Sequence, residues 1–570
     1  MFLCLPVNWY RMSQDNGYSR RRVIRFGGTG AVVAIAGCPS GGDGEDGEDG
    51  GDGGDSEDGG DSVDGGDSGN GGDGGDSGDG GDGGDSGDGG ADDFMSAAEQ
   101  LGLGENFRQR RIENARNNWS IEDRRDTPDQ QNDTTWTDSG AFQSALDAEV
   151  WRPPDGWDDT AAGDVDSITI LNHGAANMEF DPATLAAHEY FTEVTGIDIE
   201  TIEIGVEQAT QREQQVLSSE QGSPVAFNVD GALVPEFVER AYLETTDALY
   251  PEGGFEPYIP ALESLASWTL DPTYEDEHTY GYPNIAEASL GHLRPDLLEE
   301  QGLDPATYTE GEWTWDDLED LMAAFEDTDQ FGYAYYAGDA VYLSYSFREL
   351  LYQQGGRMVQ EDGTVRMDTD AAIRVVQKMR EWRENGWVPG DVLSYGEGNI
   401  VDLFTSGQLA FATGFSDFVP SAVDQYGEDG SQYVPTVPPA ASAGPDPTQA
   451  GLVDPNTTSI NRFSDRGKKL AAMLYGDLKL SYPVQWWEFT YEGNMSYVDA
   501  VYTDAADADF SPYAGVLGDA IENGVLELFP QMSSVFQQML SPVQRAIQGS
   551  VSPEQAMTQV QEFVDEEVNS

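Results

Sequence analysis

Residues 164–570 are expected to form an α/β fold of largely parallel, doubly wound sheets. Three observations lead there. Short apolar or alternating runs alternate with longer helical ones, which is the order of βαβ units. Glycines punctuate the joints between the runs. The stretch also has no cysteine, so no disulfide or zinc-thiolate staple holds it, and it must bury a core of its own.

The elements follow in order. Residues 167–171 read as a short apolar strand, and Pro182–Thr195 as a helix closed by Gly196 near its C-cap. Residues 197–204 alternate apolar and charged side chains, which is the period of a strand. Residues 208–221 follow as a helix, 225–229 as a strand and 234–242 as a helix. Ligands on such sheets sit beyond the strand C-termini, which places Asn172, His173, Asn228 and Asp230 at a mouth. Upstream, residues 94–118 carry Arg108, Arg110, Arg111 and Arg116 on a predicted helix. The polar stretch after it is expected to pack on the main body through Trp119, Trp136, Trp151 and Trp157.

Charge excludes several functions. The chain has 570 residues with 106 acidic and 28 basic side chains, a formal charge of −78. Residues 41–93 contribute −20 and residues 1–40 contribute +4, which leaves −62 on residues 94–570. A surface this negative repels nucleic acid and anionic lipid. Only Lys378, Lys468, Lys469 and Lys479 are lysines. This balance suits concentrated salt, where a Debye length of about 3 Å screens self-repulsion, and marks a halophilic archaeal type.

The N-terminus reads as an address. Arg20-Arg21-Arg22 precedes a short apolar stretch ending Ile35-Ala36-Gly37-Cys38. This is a twin-arginine signal, with Met12 as an alternative start, and it exports proteins already folded. The ending resembles a lipobox in which Cys38 takes lipid. Residues 1–38 are thus assigned as a lipoprotein signal. Residues 39–93, rich in Gly, Asp and Ser, form a solvated tether with too little apolar side chain for a core. The protein is expected on the extracellular face of the cell membrane, attached only through its lipid. No stretch reaches the 18 or so apolar residues of a membrane span.

A family resemblance rests on ordered motifs. Tyr280-Gly-Tyr-Pro-Asn-Ile-Ala-Glu-Ala-Ser-Leu290 leads to Arg294-Pro-Asp-Leu-Leu298, Gly302-Leu-Asp-Pro305 and Trp313-Thr-Trp-Asp-Asp-Leu318. Downstream come Gly355-Gly356, the helix 370–385, Phe404-Thr-Ser-Gly-Gln-Leu-Ala-Phe-Ala-Thr-Gly414 and Tyr433-Val-Pro-Thr-Val-Pro-Pro439. Residues 451–461 and the closing Ala546-Ile-Gln-Gly549 with Ser552-Pro-Glu-Gln-Ala556 complete the series. Over about 165–570 the sequence resembles extracellular solute-binding proteins of carbohydrate ABC importers, the maltose-binding-protein-like group. The resemblance implies a two-lobed periplasmic-binding-protein-like fold with a hinge. Lobe I would be 164–286 plus 452–515 and lobe II 287–451 plus 516–570, with 94–163 an extension of no assigned role.

The resemblance also implies a sugar held between the lobes by planar polar groups and aromatic rings. Glu287 falls at a ligand-binding acid, Asp230 at another, and Asn172 and His173 in the loop after the first strand. Asn228 stands where a stacking aromatic would be. Tyr345 and Phe536 match cleft aromatics. The family's Gly-x-Trp is Gly414-Phe415-Ser416 here, so Phe415 or Phe418 substitutes for the Trp. The implied partners are a sugar and the permease subunits of an importer, around a monomer with no cofactor or metal. An adhesion lipoprotein is the alternative, and an extracellular glycosidase the lesser one. Against an enzyme, the chain has no His-Glu-x-x-His, Gly-x-Ser-x-Gly or phosphate-loop motif, and its four histidines lack metal-ligand spacing.

Overall fold

Two sheets carry the fold, and in each the strand that arrives from the other lobe runs against its neighbours. The computed structural model describes residues 107–125, 136–174, 182–247, 267–268, 278–309, 311–360, 362–416, 418–427, 430–492, 494–507 and 513–570. These residues all belong to one compact unit. The expected signal, the tether, Cys38 and residues 94–106 lie outside the described residues.

The first sheet has the order β2-β1-β3-β11-β6. Its strands are β1 Ser167–Gly174, β2 Asp198–Gly205, β3 Ala226–Asp230, β6 Tyr282–Ala288 and β11 Val453–Ile460; Ser267–Trp268 and His278–Thr279 pair separately as β4 and β5. β1 runs parallel to β2 and β3, whereas β11 is antiparallel to both β3 and β6. The second sheet has the order β10-β7-β9-β8, from β7 Leu290–Leu293, β8 Phe331–Ala334, β9 Leu409–Gly414 and β10 Val434–Thr436. Here β7 is the reversed strand, antiparallel to β10 and β9, while β8 and β9 are parallel. β7 follows directly from β6 and β11 follows β10, so each reversed strand is the one that has just changed sheets.

Period-2 side chains place helices on both faces of the first sheet. Ile168, Ile170 and Ala226 share a core with Ala183, Ala187 and Phe191 of helix α3 (Pro182–Thr195). Leu171, Phe227 and Val229 share another with Val216 and Leu217 of α4 (Val206–Ser218) and Phe237 of α5 (Val234–Glu239). α3 matches the helix expected from sequence, and Gly196 after it has φ +76°, the left-handed value that ends a helix. Gly281 (φ +110°) precedes β6 so closely that a Cβ would lie 2.8 Å from the Thr458 carbonyl.

The second sheet carries α6 (Trp315–Ala324), α7 (Ala340–Tyr352) and α8 (Asp370–Glu384). Thr314 starts α6 in a capping box, its N–H donating to Asp317 Oδ2 at 2.8 Å. Trp313 and Trp315 are buried here, as helix-start packing predicts. After β11 come α9 (Arg466–Lys479) and α10 (Tyr482–Trp487), the latter with Trp486 and Trp487 in the core. The closing helices are α11 (Met532–Ile547) and α12 (Pro553–Glu567), which pack on each other; α11 also packs on α7 and α8.

The N-terminal extension is part of the first lobe's core. Its helices Phe107–Asn118 and Gly140–Asp147 bring Ile112, Ala115, Phe142 and Ala145 to that core, joined by Trp119 and Trp151. Trp157 is half-buried against the same core, and the Trp136 side chain lies outside the described ones. Phe142 stacks on Trp487 at 6.2 Å and Trp119 meets the same ring edge-on at 5.9 Å. Three arginines then tie the extension to the C-terminal half. Arg124 is 2% exposed, donates to Tyr482 Oη at 2.7 Å, and lies over Trp119, Tyr482 and Trp486 at 5.0–5.4 Å. Arg116 grips Asp504 with Nε at 2.9 Å and Nη2 at 2.7 Å. Arg111 and the Trp151 indole both bond Asp477.

Candidate functional site: the interlobe crossing

The chain passes between the lobes at three places that bond to one another. The first is Ser289, whose N–H donates to Leu452 O at 2.8 Å while its Oγ accepts the Leu452 N–H at 2.7 Å. The second is Gly451–Val453, where Gly451 sits so close to Ser289 that a Cβ would lie 2.6 Å from its carbonyl. The third is Val525, which donates to Gly451 O at 2.9 Å and accepts from Val453 N–H at 3.0 Å. Glu527 fastens this third segment to the second lobe by accepting the Met358 and Val359 N–H groups at 3.0 and 3.1 Å. Burial pushes its carboxyl above the ordinary carboxylate range, against the pull of those two donors.

On the first lobe, register sets Asn172 and Asn228 side by side across β1 and β3, with Thr458 and Tyr282 next in the row on β11 and β6. Asn228 is 3% exposed and its Nδ2 donates to Asn172 Oδ1 at 2.8 Å. The Asn228 Oδ1 is buried with no hydrogen-bond partner among the described residues. A buried acceptor left this way costs about 1–3 kcal/mol. Asp230 ends β3 with its backbone paired to Asn456, and His173 sits near the end of β1 opposite Ile204. Their side chains lie outside the described ones. Glu287 is half-buried near the end of β6, paired with Asp454 and two residues short of the Ser289 crossing.

On the second lobe, Leu290 pairs with Gly414 in antiparallel register, so Phe415 falls level with Ser289. Phe415 meets Tyr345 edge-on at 5.1 Å. Arg348, one turn along α7, lies 5.4 Å from the Tyr345 ring and 5.2 Å from Phe536. The expected aromatics Tyr345, Phe415 and Phe536 therefore form one cluster, with a buried guanidinium between two of them. Tyr342 extends it, meeting Tyr345 at 6.1 Å. Helix α11, which carries Phe536, packs against the turn Gly231–Leu233 that follows Asp230, and so brings the second lobe to the mouth of β3. Phe418, the other substitute for the missing Trp, is core: it lies 4.2 Å from His292 and 5.1 Å from Phe404. His292 is fully buried, and desolvation drops its pKa to about 3, so it stays neutral.

Sequence reasoning missed Arg348 and Glu349. Glu349 is 4% exposed and accepts from Gln353 Nε2 at 3.0 Å. Burial raises its pKa to about 8 despite that bond. Its signal in the sequence is an acid four positions after a cleft aromatic, which 106 acids swamp.

Among the described residues no three or more His, Cys, Asp or Glu side chains are grouped to hold a metal ion, and no helix is long and apolar enough to cross a membrane. The arrangement is a hinge with polar groups on one side and rings on the other, suited to gripping a small polar guest.

Comparison with known proteins agrees with this geometry. Residues 178–477 match the family described as bacterial extracellular solute-binding protein. Among solved structures, the maltose-bound MalE3 of T. maritima superimposes with a TM-score of 0.59, at 20% identity, over 70% of this chain and 99% of that one. An ABC transporter solute-binding protein of Thermotoga lettingae, bound with α-D-tagatose, gives 0.59 at 21% over 70% and 99%. The GacH receptor of Streptomyces glaucescens, solved unliganded and with acarbose, gives 0.58 at 18% over 71% and 99%. At these identities the likeness establishes a two-lobed fold. No curated protein matches the sequence.

Proposed function

The chain belongs to the bacterial extracellular solute-binding protein family, and from that premise we propose that it captures a mono- or oligosaccharide between its lobes and delivers it to the membrane permease of an ABC importer. The observation that carries the carbohydrate reading is Asn228. Its Oδ1 is buried in the middle of β3 and unpartnered among the described residues, and a ligand hydroxyl arriving there would supply the missing donor. Across the crossing, the flat faces of Tyr345, Phe415 and Phe536 suit the C–H faces of a sugar ring. Glu287, Asp230, His173 and Asn172 complete the proposed set on the first lobe. The sugars named with the three solved relatives support the same class.

Closure follows from bridging. A ligand that touches both lobes binds the closed form better than the open one and shifts the population toward it. Cys38 is proposed to hold the protein at the outer face of the cell membrane, with 39–93 as its leash. Cys38→Ser should therefore release it into the medium, and unchanged membrane fractionation would end the anchor reading.

The binding test is thermal unfolding in about 3 M KCl with a panel of mono- and oligosaccharides. A bound sugar stabilises by RT ln(1 + [L]/Kd), about 2.7 kcal/mol at a hundredfold excess over Kd. A panel in which no sugar moves the transition would favour an adhesion protein, and turnover of a sugar would point to a glycosidase. Either result overturns the proposal.

A further inference from the structure

The rings of the second lobe share one cation. Arg348 is 3% exposed, Phe536 5% and Phe415 7%, whereas Tyr345 is half-buried and the most exposed of the four. The Arg348 guanidinium lies over the Tyr345 ring at 5.4 Å and over the Phe536 ring at 5.2 Å. Both distances fall within the roughly 6 Å of a cation–π contact. Tyr345 is three positions before Arg348 on α7, so that contact is local to one helix. Phe536 is on α11, so the second contact joins two helices. Phe415 braces the Tyr345 ring edge-on at 5.1 Å. The three side chains form a series of ring, cation and ring, with its more exposed member at Tyr345.

We propose that Arg348 is a positioning residue for ligand capture: its guanidinium holds the Tyr345 ring of α7 and the Phe536 ring of α11 as one platform, so that Tyr345 stands fixed when a sugar ring meets it. The platform stands on the ring geometry, and only its use in holding a sugar rests on the function proposed above. A guanidinium suits the task, because it is planar, always charged, stacks on aromatic faces and is more weakly hydrated than an ammonium. A desolvated cation gains more from a ring than an exposed one does. A ring fixed beforehand also binds better, since its rotational freedom is not lost again on binding. Helix α11 packs both on α7 and on the turn Gly231–Leu233 of the first lobe. Arg348 thereby ties the Tyr345 ring to the helix that meets the other lobe.

A double-mutant cycle between Arg348→Met and Phe536→Leu in the full chain, in about 3 M KCl, tests this with two readouts. In urea unfolding without ligand, the two changes should couple by about threefold to thirtyfold in the unfolding equilibrium constant. In isothermal titration with maltotriose, each single change should weaken binding about tenfold. The double change should weaken it no more than about threefold beyond the weaker-binding single variant. Coupling in urea with unchanged affinity means that Arg348 only fills the core. Losses that multiply to about a hundredfold mean that it acts apart from Phe536. Either result overturns the proposal, as does coupling in urea below about twofold. Arg348→Lys, which keeps the charge but not the plane, replaces Arg348→Met under the same criteria if the latter fails to fold. If maltotriose does not bind, the sugar of the panel that most raises the native transition takes its place. If the changes couple in urea but no sugar of the panel binds the native protein, the carbohydrate reading falls and the platform stands. If a sugar binds but the changes neither couple nor weaken it, the platform falls and the carbohydrate reading stands.

Discussion

The extension's contact with the first lobe and the interlobe crossing both bury acids, and they treat them in opposite ways. Under the extension, Asp504 meets Arg116 and Arg124, Asp477 meets Arg111, and Glu488 meets Lys479. Burial alone would raise the Asp504 pKa, but its bonds from Arg116 and Tyr482 outweigh that and hold it below the usual value. At the crossing, Glu349 meets the Gln353 amide, and Glu527 chiefly backbone N–H groups. Both pKa values rise. Under the extension, a chain with only 28 cations against 106 acids sets several of them on buried acids. At the crossing, these donors to the two buried carboxyls are neutral. An ion pair holds one geometry at a high cost to break, whereas a neutral carboxyl exchanges partners cheaply.

Salt sets the baseline for this contrast and carries the largest expected effect. The −62 on residues 94–570 repels itself once the screening of about 3 M KCl is diluted to about 0.1 M. The urea midpoint should fall steeply on dilution, and equal midpoints would refute the reading of a salt-adapted surface. Next comes Arg124→Met, which empties the ring cage and removes the bond to Tyr482 while Asp504 keeps Arg116. It should cost about 1.5–3 kcal/mol in about 3 M KCl, because buried charged hydrogen bonds are little screened; a loss below about 1 kcal/mol would put the extension outside the cooperative core.

The two regions should also fail at opposite ends of the pH scale. Asp504 has a lowered pKa, so its contribution is complete above the ordinary carboxylate pKa and is lost as pH falls through the lowered value. Glu349 has a raised one, so its contribution is complete below about pH 4.5 and is lost as pH rises through about 8. Stability of the native protein should drop by about 1–3 kcal/mol between about pH 6 and about pH 9, and Glu349→Gln should remove that drop. A Glu349→Gln curve parallel to the native one would erase the contrast. The smallest stability effect belongs to Asn228→Ala, within about 1 kcal/mol, since it removes an acceptor that was unsatisfied. The same change should weaken the sugar that binds by about tenfold to a hundredfold, by isothermal titration. Unaltered affinity would remove Asn228 from the site.

Much of the fold was legible in local pattern. Helix α3 and its glycine stop, the alternation of β2, and the tryptophans at the start of α6 follow from period and capping within a few residues. β1 runs three residues further than expected, to Gly174, because pairing with β2 continues through polar Asn172 and His173. The extension's Trp119 and Trp151 were legible as packing, but not their role beside charge. Arg124 and Asp504 are 380 residues apart, and no local pattern joins them. In the site, Tyr345, Phe415 and Phe536 were reached through ordered motifs and meet in space. Phe418 was not separable from Phe415 by sequence, because whether a ring meets Tyr345 or His292 depends on how β9 leads into the next helix.

The sequence by itself determined the alternation of strands and helices and the excess of acid, because each depends on neighbours in the chain or on composition. The tertiary structure decided which acids keep their charge, which polar atom is left without a partner, and where the three crossings touch. Those properties depend on desolvation and on groups brought together from distant segments, and neither exists until the chain is folded.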